Sequence, residues 1–478
     1  MNTIHFKDFK VGLDHRKSST VAEPDRLREL KNAFITTGNV IRKRPGMPKI
    51  ATLESGTVGL ISGNGYLNTF FEYGGGITHA DTRFLANELE HALGAAYASG
   101  DLYKVHYGTT FLGYLYIAAE YDDSSVFHYY LDGSNPNRIT DANCPNTTAV
   151  SKQESRIWAV DGDVVRYSVL NDPTDWTTVV PAAEDAGLIG TGLKSQGSAD
   201  ALALGQYDGR LAVFMIDGMQ LWTIGTDVLT DLAFYKYVGG VGCKYAQTPT
   251  VFAGDVIFLN RTGFRSITTQ SYADNLADVD VGSPIDKLVR AEIGDATDPR
   301  AKYFMGKNQF WCAYTLPSDP TKTRAWVYSY SKSAKVAAWS KYEIDFPLND
   351  MEVHEGYLHV RSGDDVYRVD ETDTVFTDGG NTFDMEASFP FIDCKTPGID
   401  KYFASMDFTI KGTVDVAFRY DPNDETKITN SITITGDTRP LQRIPIEITG
   451  PAIAPVFTST SDAEVQIDAF DIHYENLG

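Results

Sequence analysis

The 478-residue sequence lacks several features that would place it in a familiar class at once. It contains no run of about eighteen apolar residues, so it predicts no membrane-spanning helix. The first residues, "MNTIHFKDFKVGLDHRK", have no apolar core followed by a small-residue cleavage site. We therefore infer no export signal and expect the protein to assemble in a cytosol.

Cysteine is scarce as well. The four cysteines are separated by 99, 69 and 82 residues, a spacing that fits neither a zinc site nor a redox pair: Cys144, Cys243, Cys312 and Cys394. We expect reduced, mostly buried thiols that act as small apolar side chains. An oxidised pair that meets only in space stays open as an alternative.

Positively charged residues are also few. The chain has 42 Lys and Arg against 64 Asp and Glu, which gives a formal net charge of -22. The exception is residues 1–50, where eleven cations against five acids give +6 and leave -28 on the remaining 428 residues. An acidic body argues against tight wrapping of nucleic acid, because each phosphate contact needs a cation. It remains compatible with a surface past which DNA slides without sticking.

Helical periodicity is confined to one stretch, residues 81–99, where "DTRFLANELEHALGAAYAS" predicts a helix. Elsewhere the chain shows short alternating or wholly apolar runs rich in Val, Ile, Tyr, Phe and Trp, bounded by Gly, Asp and Asn. This pattern is typical of an all-β protein.

Many of these runs repeat a turn residue followed by an aromatic-aliphatic strand, as in "GDVVRYSV" and "GDDVYRV". Their central residues recur about every 53 residues: Leu102, Val165, Leu221, Phe264, Val327 and Val366. A four-stranded propeller blade takes roughly 40 to 50 residues, so the spacing predicts an irregular β-propeller of about six blades over residues 51–375. Tryptophan disappears after Trp339 and the alternation becomes cleaner, which predicts a C-terminal antiparallel β-sandwich over residues 376–478. Residues 1–50 form a separate basic N-terminal segment in this scheme.

Several stretches resemble a known family. Near the start stands "RELKNAFITTGNVIRKRPGM", Arg28 to Met47. The middle contains "VRYSVLNDPTDW" (165–176), "GGVGCKYAQTPTVFAGDVIFLNRTGFRSI" (239–267), "GSPIDKLV" (282–289) and "VYSYSKSAKVAAWSKYE" (327–343). The end contains "PGIDKYFASMDFTIKG", "FRYDP" and "GDTRPLQRIPIEI". In this order they resemble the tail hub, or nozzle, proteins of short-tailed phages, also described as tail tubular protein B and packaged-DNA stabilisation proteins.

The resemblance implies a structural role with no enzymatic activity and no cofactor. Family members form a ring, six-fold in symmetry, that closes the DNA exit channel below the portal and the adaptor protein. Such a homohexamer would guide genome ejection and dock tail fibres or tailspikes, while double-stranded DNA passes through the lumen without sequence-specific binding. The implied location is the tail of the virion, after assembly in the cytoplasm of a host bacterium.

The cations Arg42, Lys43 and Arg44, followed by Pro45 and Gly46, are the candidate assembly contact. Three interpretations stay open: a solvated strand, docking on an acidic surface of the same or a neighbouring chain, and contact with DNA. If they dock on a neighbour, reversing the three charges should weaken assembly and leave the isolated fold largely intact.

No motif identifies a catalytic, cofactor-binding or metal-binding residue. The acidic loops at 273–282 and 370–380 do not complete a calcium loop, and "HEGYLH" at 354–359 has the wrong spacing for a zinc helix. The Asp-Pro turn before Trp176 predicts a corner between blades packed by the indole. Propellers also bind or depolymerise glycans, which for hydrolysis requires two carboxylates converging on a cleft, and this remains the alternative function.

Overall fold

Short strands joined by tight turns account for most of the chain in the computed structural model. The structure describes residues 1–72, 76–89, 101–132, 135–179, 182–192, 194, 200–272, 280–436 and 443–477. Five strands precede the repeated part: β1 (Asn2–Phe6), β2 (Glu29–Lys31), β3 (Ala33–Ile35), β4 (Ile41–Lys43) and β5 (Lys49–Thr52).

Four small sheets then follow one another along the chain. Blade 1 contains β6 (Val58–Gly63), β7 (Tyr66–Glu72) and β8 (Phe84–Leu89), and blade 2 contains β9 (Leu102–Phe111), β10 (Tyr114–Tyr121), β11 (Val126–Asp132) and β12 (Asn135–Arg138). Blade 3 contains β13 (Val150–Gln153), β14 (Arg156–Asp161), β15 (Val164–Tyr167) and β16 (Gly187–Gly190). Blade 4 contains β17 (Ala201–Tyr207), β18 (Arg210–Met215), β19 (Gly218–Thr223) and β20 (Ala233–Gly239).

Three more sheets complete the ring. Blade 5 contains β21 (Thr250–Phe252), β22 (Asp255–Asn260) and β23 (Gly263–Ser266), followed by α1 (Ile267–Tyr272), α2 (Asp286–Glu292) and a 3-10 turn at Ile293–Asp295. Blade 6 contains β24 (Thr297–Phe304), a 3-10 turn at Met305–Lys307, β25 (Gln309–Leu316), β26 (Asp319–Ser331) and β27 (Val336–Ile344). Blade 7 contains β28 (Asp350–His354), β29 (Tyr357–Ser362) and β30 (Asp365–Arg368), and β5 from the N-terminal part is its fourth strand.

The propeller therefore has seven blades in the described residues, where the repeat spacing predicted about six. The first strands of all seven border one central cavity, and β28 packs against β6 to close the ring. Apolar clusters fill the spaces between neighbouring blades, for instance Trp158 and Trp222 between blades 3 and 4. These clusters bury both faces of each small sheet, which is how a propeller acquires a core.

The sandwich follows the two-stranded pair β31 (Thr377–Asp378) and β32 (Asn381–Thr382). Its remaining strands are β33 (Met385–Ser388), β34 (Lys401–Lys411), β35 (Thr413–Arg419), β36 (Ile432–Thr435), β37 (Ile444–Gly450), β38 (Ala454–Ser459) and β39 (Gln466–Asn476). One sheet has the order β3-β4-β39-β34-β37, with β1 also on β39, and the other runs β2-β33-β38-β35-β36. Aromatic rings such as Phe408, Phe457 and Phe470 pack between them.

The N-terminal segment is built into both parts of the molecule. Strands β1 to β4 belong to the sandwich and β5 belongs to blade 7, so residues 1–50 do not form a unit of their own. Strand β2 also pairs with β27, which joins blade 6 and one sandwich sheet into a single nine-stranded sheet. The propeller and the sandwich are thus connected by shared strands as well as by side-chain packing.

The helix predicted over residues 81–99 is wrong where the structure describes it. Residues 84–89 form strand β8, which pairs in parallel with β7, and Phe84 and Leu89 face the apolar clusters of blades 7, 1 and 2. Tertiary packing outweighs local helix propensity here. Residues 90–99 lie outside the described residues.

Candidate functional site: the propeller channel

The centre of the propeller holds a cavity of 320 Å³ bordered by residues from the first strand of every blade. At about 30 Å³ per water molecule this space holds roughly ten waters. Its wall is partly apolar, with Leu60, Val150 and Met351, and partly charged, with Arg300 and Lys302. A space of this size cannot admit a nucleic-acid duplex.

An ion-pair network crosses the channel beside this cavity. Lys104 of blade 2 contacts Asp298 at the start of β24, so it reaches across to blade 6. The Arg300 guanidinium donates to Asp298 at 3.0 Å and to Asp350 of blade 7 at 3.3 Å. Arg361 donates to the second oxygen of Asp350 at 2.7 Å.

The same network reaches the seam at which the ring closes. Arg361 also donates to the carbonyl of Thr57 at 3.1 Å, directly before the first strand of blade 1. The "channel network" of Lys104, Asp298, Arg300, Asp350 and Arg361 therefore ties together blades 1, 2, 6 and 7. On the outer side of the seam, backbone pairing of β5 with β30 performs the same task.

Complementary side chains on β24 and β28 face each other in register. Arg300 pairs with Asp350, and two residues further along both strands Lys302 donates to Glu352 at 2.8 Å. Because side chains of a strand alternate between its two faces, residues at i and i+2 lie on the same face. The two blades are therefore held by matched charges as well as by apolar contacts.

Burial shifts several pKa values in the channel. Burial and the nearby Arg300 and Arg361 guanidiniums lower the pKa of Lys104 to about 7, although it contacts Asp298. Burial is also the main cause that lowers the pKa of His106 to about 3, so this imidazole is neutral where it meets Glu120 at 2.6 Å. The guanidiniums of Arg361 and Arg300 hold the pKa of Asp350 below its ordinary value despite complete burial.

The contacts that the channel carboxylates make with neighbouring side chains limit the chemistry that these carboxylates can perform. Asp298, Asp350 and Glu352 each contact a cation, and Glu120 contacts His106. A glycoside hydrolase needs one carboxylate that gives a proton and one that attacks or activates water, both open to the substrate. Asp298, Asp350 and Glu352 are held in internal ion pairs, and Glu120 is hydrogen-bonded to a neutral imidazole, so these carboxylates are suited to holding blades together.

The predicted assembly residues Arg42, Lys43 and Arg44 lie elsewhere, where the sandwich meets the propeller. Arg44 is fully buried: its Nη1 donates to Asp378 at 2.9 Å, its Nε to Asn32 at 3.0 Å, and its guanidinium lies 3.7 Å from the centre of the Phe383 ring. Asp378 is buried as well, so the pair exists in a largely water-free environment.

Lys43 is equally buried, and its ammonium donates to the carbonyls of Phe383 and Ser461. Burial and the neighbouring Arg44 lower the pKa of Lys43 to about 8. Arg42 is partly exposed and pairs with Asp373 at 2.9 Å and with Glu464 at 2.6 Å. These three cations and their partners form the "junction cluster".

The Pro-Gly step after the cations has a steric reason. A Cβ on Gly46 would lie 2.2 Å from the carbonyl oxygen of Thr377, so only glycine fits where the N-terminal segment passes the linker to the sandwich. The backbone of Gly46 donates to Val375 at 2.7 Å and accepts from Asp370 at 3.0 Å. The stretch "RKRPG" is thus a packed corner within one chain.

The solvated-strand interpretation and the expected tolerance of the fold to charge reversal are corrected by this burial. Lys43 and Arg44 have no exposed surface with which to touch a second molecule or DNA, and their partners belong to the same chain. Three carboxylates at these positions would face Asp378, Asp373 and Glu464. Of the alternatives, docking on an acidic surface of the same chain agrees with the structure.

The other sequence motifs have structural roles where they are described. Trp176 is buried between blades 2 and 3 and donates to Pro173 at 3.0 Å, which confirms the predicted inter-blade corner. His354 and His359 lie on strands β28 and β29, and His354 meets Ser62 at 2.8 Å. Asp370 organises its own loop by accepting the backbone NH groups of Thr374 and Val375.

All four cysteines are free thiols, and Cys243 and Cys312 are buried. Among the described residues no group of three His, Cys, Asp or Glu side chains is arranged to hold a metal ion. No helix in the described part of the chain is long and apolar enough to cross a membrane. Most of the loop at 273–282 lies outside the described residues.

The channel network was missed from the sequence, although one signal for it is visible. Arg300 and Lys302 stand two apart on one strand, and Asp350 and Glu352 stand two apart on another strand 50 residues later. Charged residues at alternate positions of a strand lie on one face of it. The opposite signs of the two pairs indicate that the faces meet.

Comparison with known proteins adds little to this description. No family model matches the chain, and no curated protein matches it. Among solved structures, a chain of a mitotic checkpoint complex is 12% identical over 76% of this chain and 93% of its own, with a TM-score of 0.33. An exo-beta-1,3-galactanase from Phanerochaete chrysosporium, solved with galactose, is 10% identical over 77% and 95%, with a TM-score of 0.24. A quinonprotein alcohol dehydrogenase-like protein from Bacteroides thetaiotaomicron is 8% identical over 50% and 55%, with a TM-score of 0.31. Likeness of this degree carries no inference about chemistry.

Proposed function

We propose that this chain is a structural protein of a phage virion, the tail hub or nozzle that forms the distal ring of a short tail. In this role it closes the DNA exit channel below the portal and adaptor, guides genome ejection, and docks fibres or tailspikes. The sequence resemblance suggests the role, and the observation that supports it best is the propeller centre. That centre is small and is crossed by ion pairs that hold the blades together. A structural protein that bears mechanical load needs such connections between its parts.

This geometry also constrains how such a hub would work. A cavity of 320 Å³ crossed by the channel network leaves no path for DNA through a single propeller. Any conduit would therefore lie between copies of the chain, lined by their outer surfaces. The negative net charge of the chain, -22, would keep DNA from binding to that lining.

The rigid connection of the two parts fits the same role. Sandwich and propeller share a nine-stranded sheet and the buried junction cluster. Domains joined only by a flexible linker move relative to each other, whereas shared strands transmit force without such movement. A protein under the pressure of packaged DNA benefits from this connection.

The test is the composition of purified virions of the phage that encodes the chain. Quantitative mass spectrometry and electron microscopy should find several copies in a ring at the tip of the tail, and particles lacking the protein should lose their DNA. Absence from particles, or a single copy per virion, would contradict the proposal. Turnover of a host polysaccharide by the purified protein, lost on replacing one carboxylate, would instead establish the glycan-acting alternative.

A further inference from the structure

A polar groove lies on the propeller surface between blades 2 and 3. Its volume is 720 Å³, within the roughly 300 to 1,000 Å³ typical of ligand sites. One wall is formed by residues 137–143, where blade 2 ends, and Tyr130 of strand β11 adjoins it. The other wall is formed by Thr174, Asp175 and Thr177 at the inter-blade corner. We call this surface the blade 2–3 groove.

One carboxylate holds the two walls together. Asp141 accepts the backbone NH of Asn143 at 2.8 Å on its own wall and the backbone NH of Trp176 at 2.7 Å on the opposite wall. The hydroxyl of Thr177 donates to Asp141 at 3.0 Å, and the side-chain amide of Asn143 donates to Thr177 at 3.2 Å. The groove therefore has its shape before a ligand enters, so binding costs little conformational freedom in the protein.

Exposed tyrosine rings extend the groove onto the neighbouring blades. Tyr114, at the turn between β9 and β10, is 43% exposed, and its ring centre lies 5.4 Å from that of Tyr130. Tyr66, at the corresponding turn of blade 1, is also 43% exposed. The two turns lie side by side, because the backbone NH of Asn64 donates to the Thr110 hydroxyl at 3.3 Å. A ligand longer than the groove would thus meet aromatic rings beyond it.

The side chains of the groove match the hydrogen-bonding chemistry of a neutral sugar. A sugar hydroxyl donates and accepts at once, so it can use carboxylate and amide oxygens together with amide and guanidinium NH groups. The lining offers these groups at Asn137, Arg138, Asn143 and Asp175. The C–H face of a sugar ring packs on a tyrosine ring, whose own hydroxyl can remain in water.

Other classes of ligand fit the groove less well. A phosphate or a sulfated chain would meet the carboxylates of Asp141 and Asp175, with Arg138 as the one cation among the lining residues. An apolar segment would cover the amides and carboxylates of the walls without giving them hydrogen-bond partners. A neutral chain with many hydroxyl groups avoids both costs.

We propose that the blade 2–3 groove and the adjoining Tyr114 and Tyr66 bind a neutral oligosaccharide. This goes beyond the hub function, to which it would add an affinity of the tail for a sugar-coated surface. We expect binding without hydrolysis, because both oxygens of Asp141 already accept hydrogen bonds within the chain. A glycoside hydrolase needs two carboxylates that are open to its substrate.

The experiment measures saturation transfer by NMR from the purified full chain to neutral oligosaccharides at millimolar concentration. The probes are tetrasaccharides or longer chains of glucose, galactose, mannose and rhamnose, and a heparin fragment serves as the anionic comparison. At least one neutral chain should receive saturation, remain uncleaved and give a dissociation constant on titration. The heparin fragment should not compete with it.

Variants locate the binding. Tyr114→Ala removes the exposed ring and should weaken binding about fivefold or more, whereas Tyr114→Phe keeps the ring and should retain most of the affinity. Asn137→Ala, at an exposed position of the groove wall, should weaken binding by a similar factor. Tyr420→Ala is the matched control: Tyr420 is 39% exposed but lies in the sandwich, and its loss should leave binding unchanged. Thermal unfolding of each variant checks that the fold is intact.

Three results would overturn the inference: no saturation transfer to any neutral chain, equal weakening by Tyr420→Ala, or full binding by folded Tyr114→Ala and Asn137→Ala. Competition by the heparin fragment, or by a lysine-rich peptide, would assign the groove to a charged ligand and also refute it. These outcomes are separate from the hub function. Variants that lose the sugar yet assemble into virions would leave the hub standing, and sugar binding by a protein absent from virions would do the reverse.

Discussion

The junction cluster and the channel network both place ion pairs in the interior, yet their surroundings differ. Arg44 and Asp378 lie in a dry site where asparagine, backbone carbonyls and an aromatic face satisfy the guanidinium. Arg300 and Asp350 lie beside a cavity of 320 Å³ and form ion pairs in a network with three further residues, Lys104, Asp298 and Arg361. The comparison shows two ways to stabilise a buried charge. One residue can have a complete set of hydrogen-bond partners, or several charged residues can share ion pairs in a network.

Removing one member of the junction pair should have the largest effect. Arg44→Met removes the only cation among the described residues that is hydrogen-bonded to the buried Asp378 carboxylate and leaves Lys43 as the nearby positive charge, and we expect a loss of about 3 to 5 kcal/mol in the free energy of unfolding. Chemical denaturation of the purified variant measures it. Arg42→Met, at a partly exposed pair, is the control and should cost about 1 kcal/mol. Equal losses in the two variants would contradict the distinction between dry and partly exposed pairs.

The matching change in the channel should cost less. Arg300→Met leaves Asp350 paired with Arg361 at 2.7 Å and Asp298 in contact with Lys104. Water from the adjoining cavity can also solvate the released oxygens, so we expect a loss of about 2 kcal/mol by the same denaturation measurement. A loss as large as that of Arg44→Met would show that the channel network is as dry and as specific as the junction.

How much of this the sequence revealed depends on the region. The repeated turn-and-strand marker identifies the third strand of blades 3 to 7, which contain Val165, Leu221, Phe264, Val327 and Val366. These blades are antiparallel meanders in which a short turn precedes the third strand, so local pattern and position agree.

Blades 1 and 2 departed from the pattern for physical reasons. The marker at Leu102 belongs to the first strand of blade 2, because its third strand follows a turn of Asp and Ser residues without glycine. Blade 1 ends in a strand that runs parallel to its neighbour, so it has no second hairpin to recognise. The repeat pattern therefore missed one blade, and the predicted number of blades was too low.

The site was less predictable than the fold. Lys104 meets Asp298 across 194 positions of sequence, and Arg44 meets Asp378 across 334. Local pattern carries no information on such distant partners unless it is repeated, as in the i and i+2 pairs of β24 and β28. The basic stretch at 42–44 was conspicuous, but whether its cations face solvent or the interior depends on the linker that packs over them.

A pH titration should separate the two regions further. The pKa of Lys104 is lowered from 10.5 to about 7 in the folded chain, so between these values the unfolded chain binds more protons. Stability must then rise with pH across this window, by at most about 1.4 kcal/mol per unit and, for a partly hydrated site, by about 1. Lys104→Met removes this contribution, so the stability of the wild type relative to the variant should increase from neutral to alkaline pH.

Other groups, including Lys43 with its pKa of about 8, titrate in both proteins and cancel in that difference. Denaturation at a series of pH values provides the measurement. Parallel curves for wild type and Lys104→Met would mean that Asp298 keeps the ammonium charged throughout, and the channel would then resemble the junction in being fixed.

The smallest expected effect concerns the second pair between blades 6 and 7, Lys302 and Glu352. The lysine side chain is 37% exposed, so either charge reversal alone, Lys302→Glu or Glu352→Lys, should cost about 1 kcal/mol through repulsion of like charges near water. The double variant restores opposite charges in the same register, and its free energy of unfolding should return to within about 0.5 kcal/mol of the wild type.

A double-mutant cycle measured by denaturation tests this prediction. The deeper Arg300 and Asp350 pair is the contrast, because exchanging those two residues would also misalign Arg361 and Asp298. If the stability of the double variant does not return to that of the wild type, the two blades are held by a specific geometry along the whole strand. The difference between the hydrated channel and the dry junction is then smaller than the structure indicates.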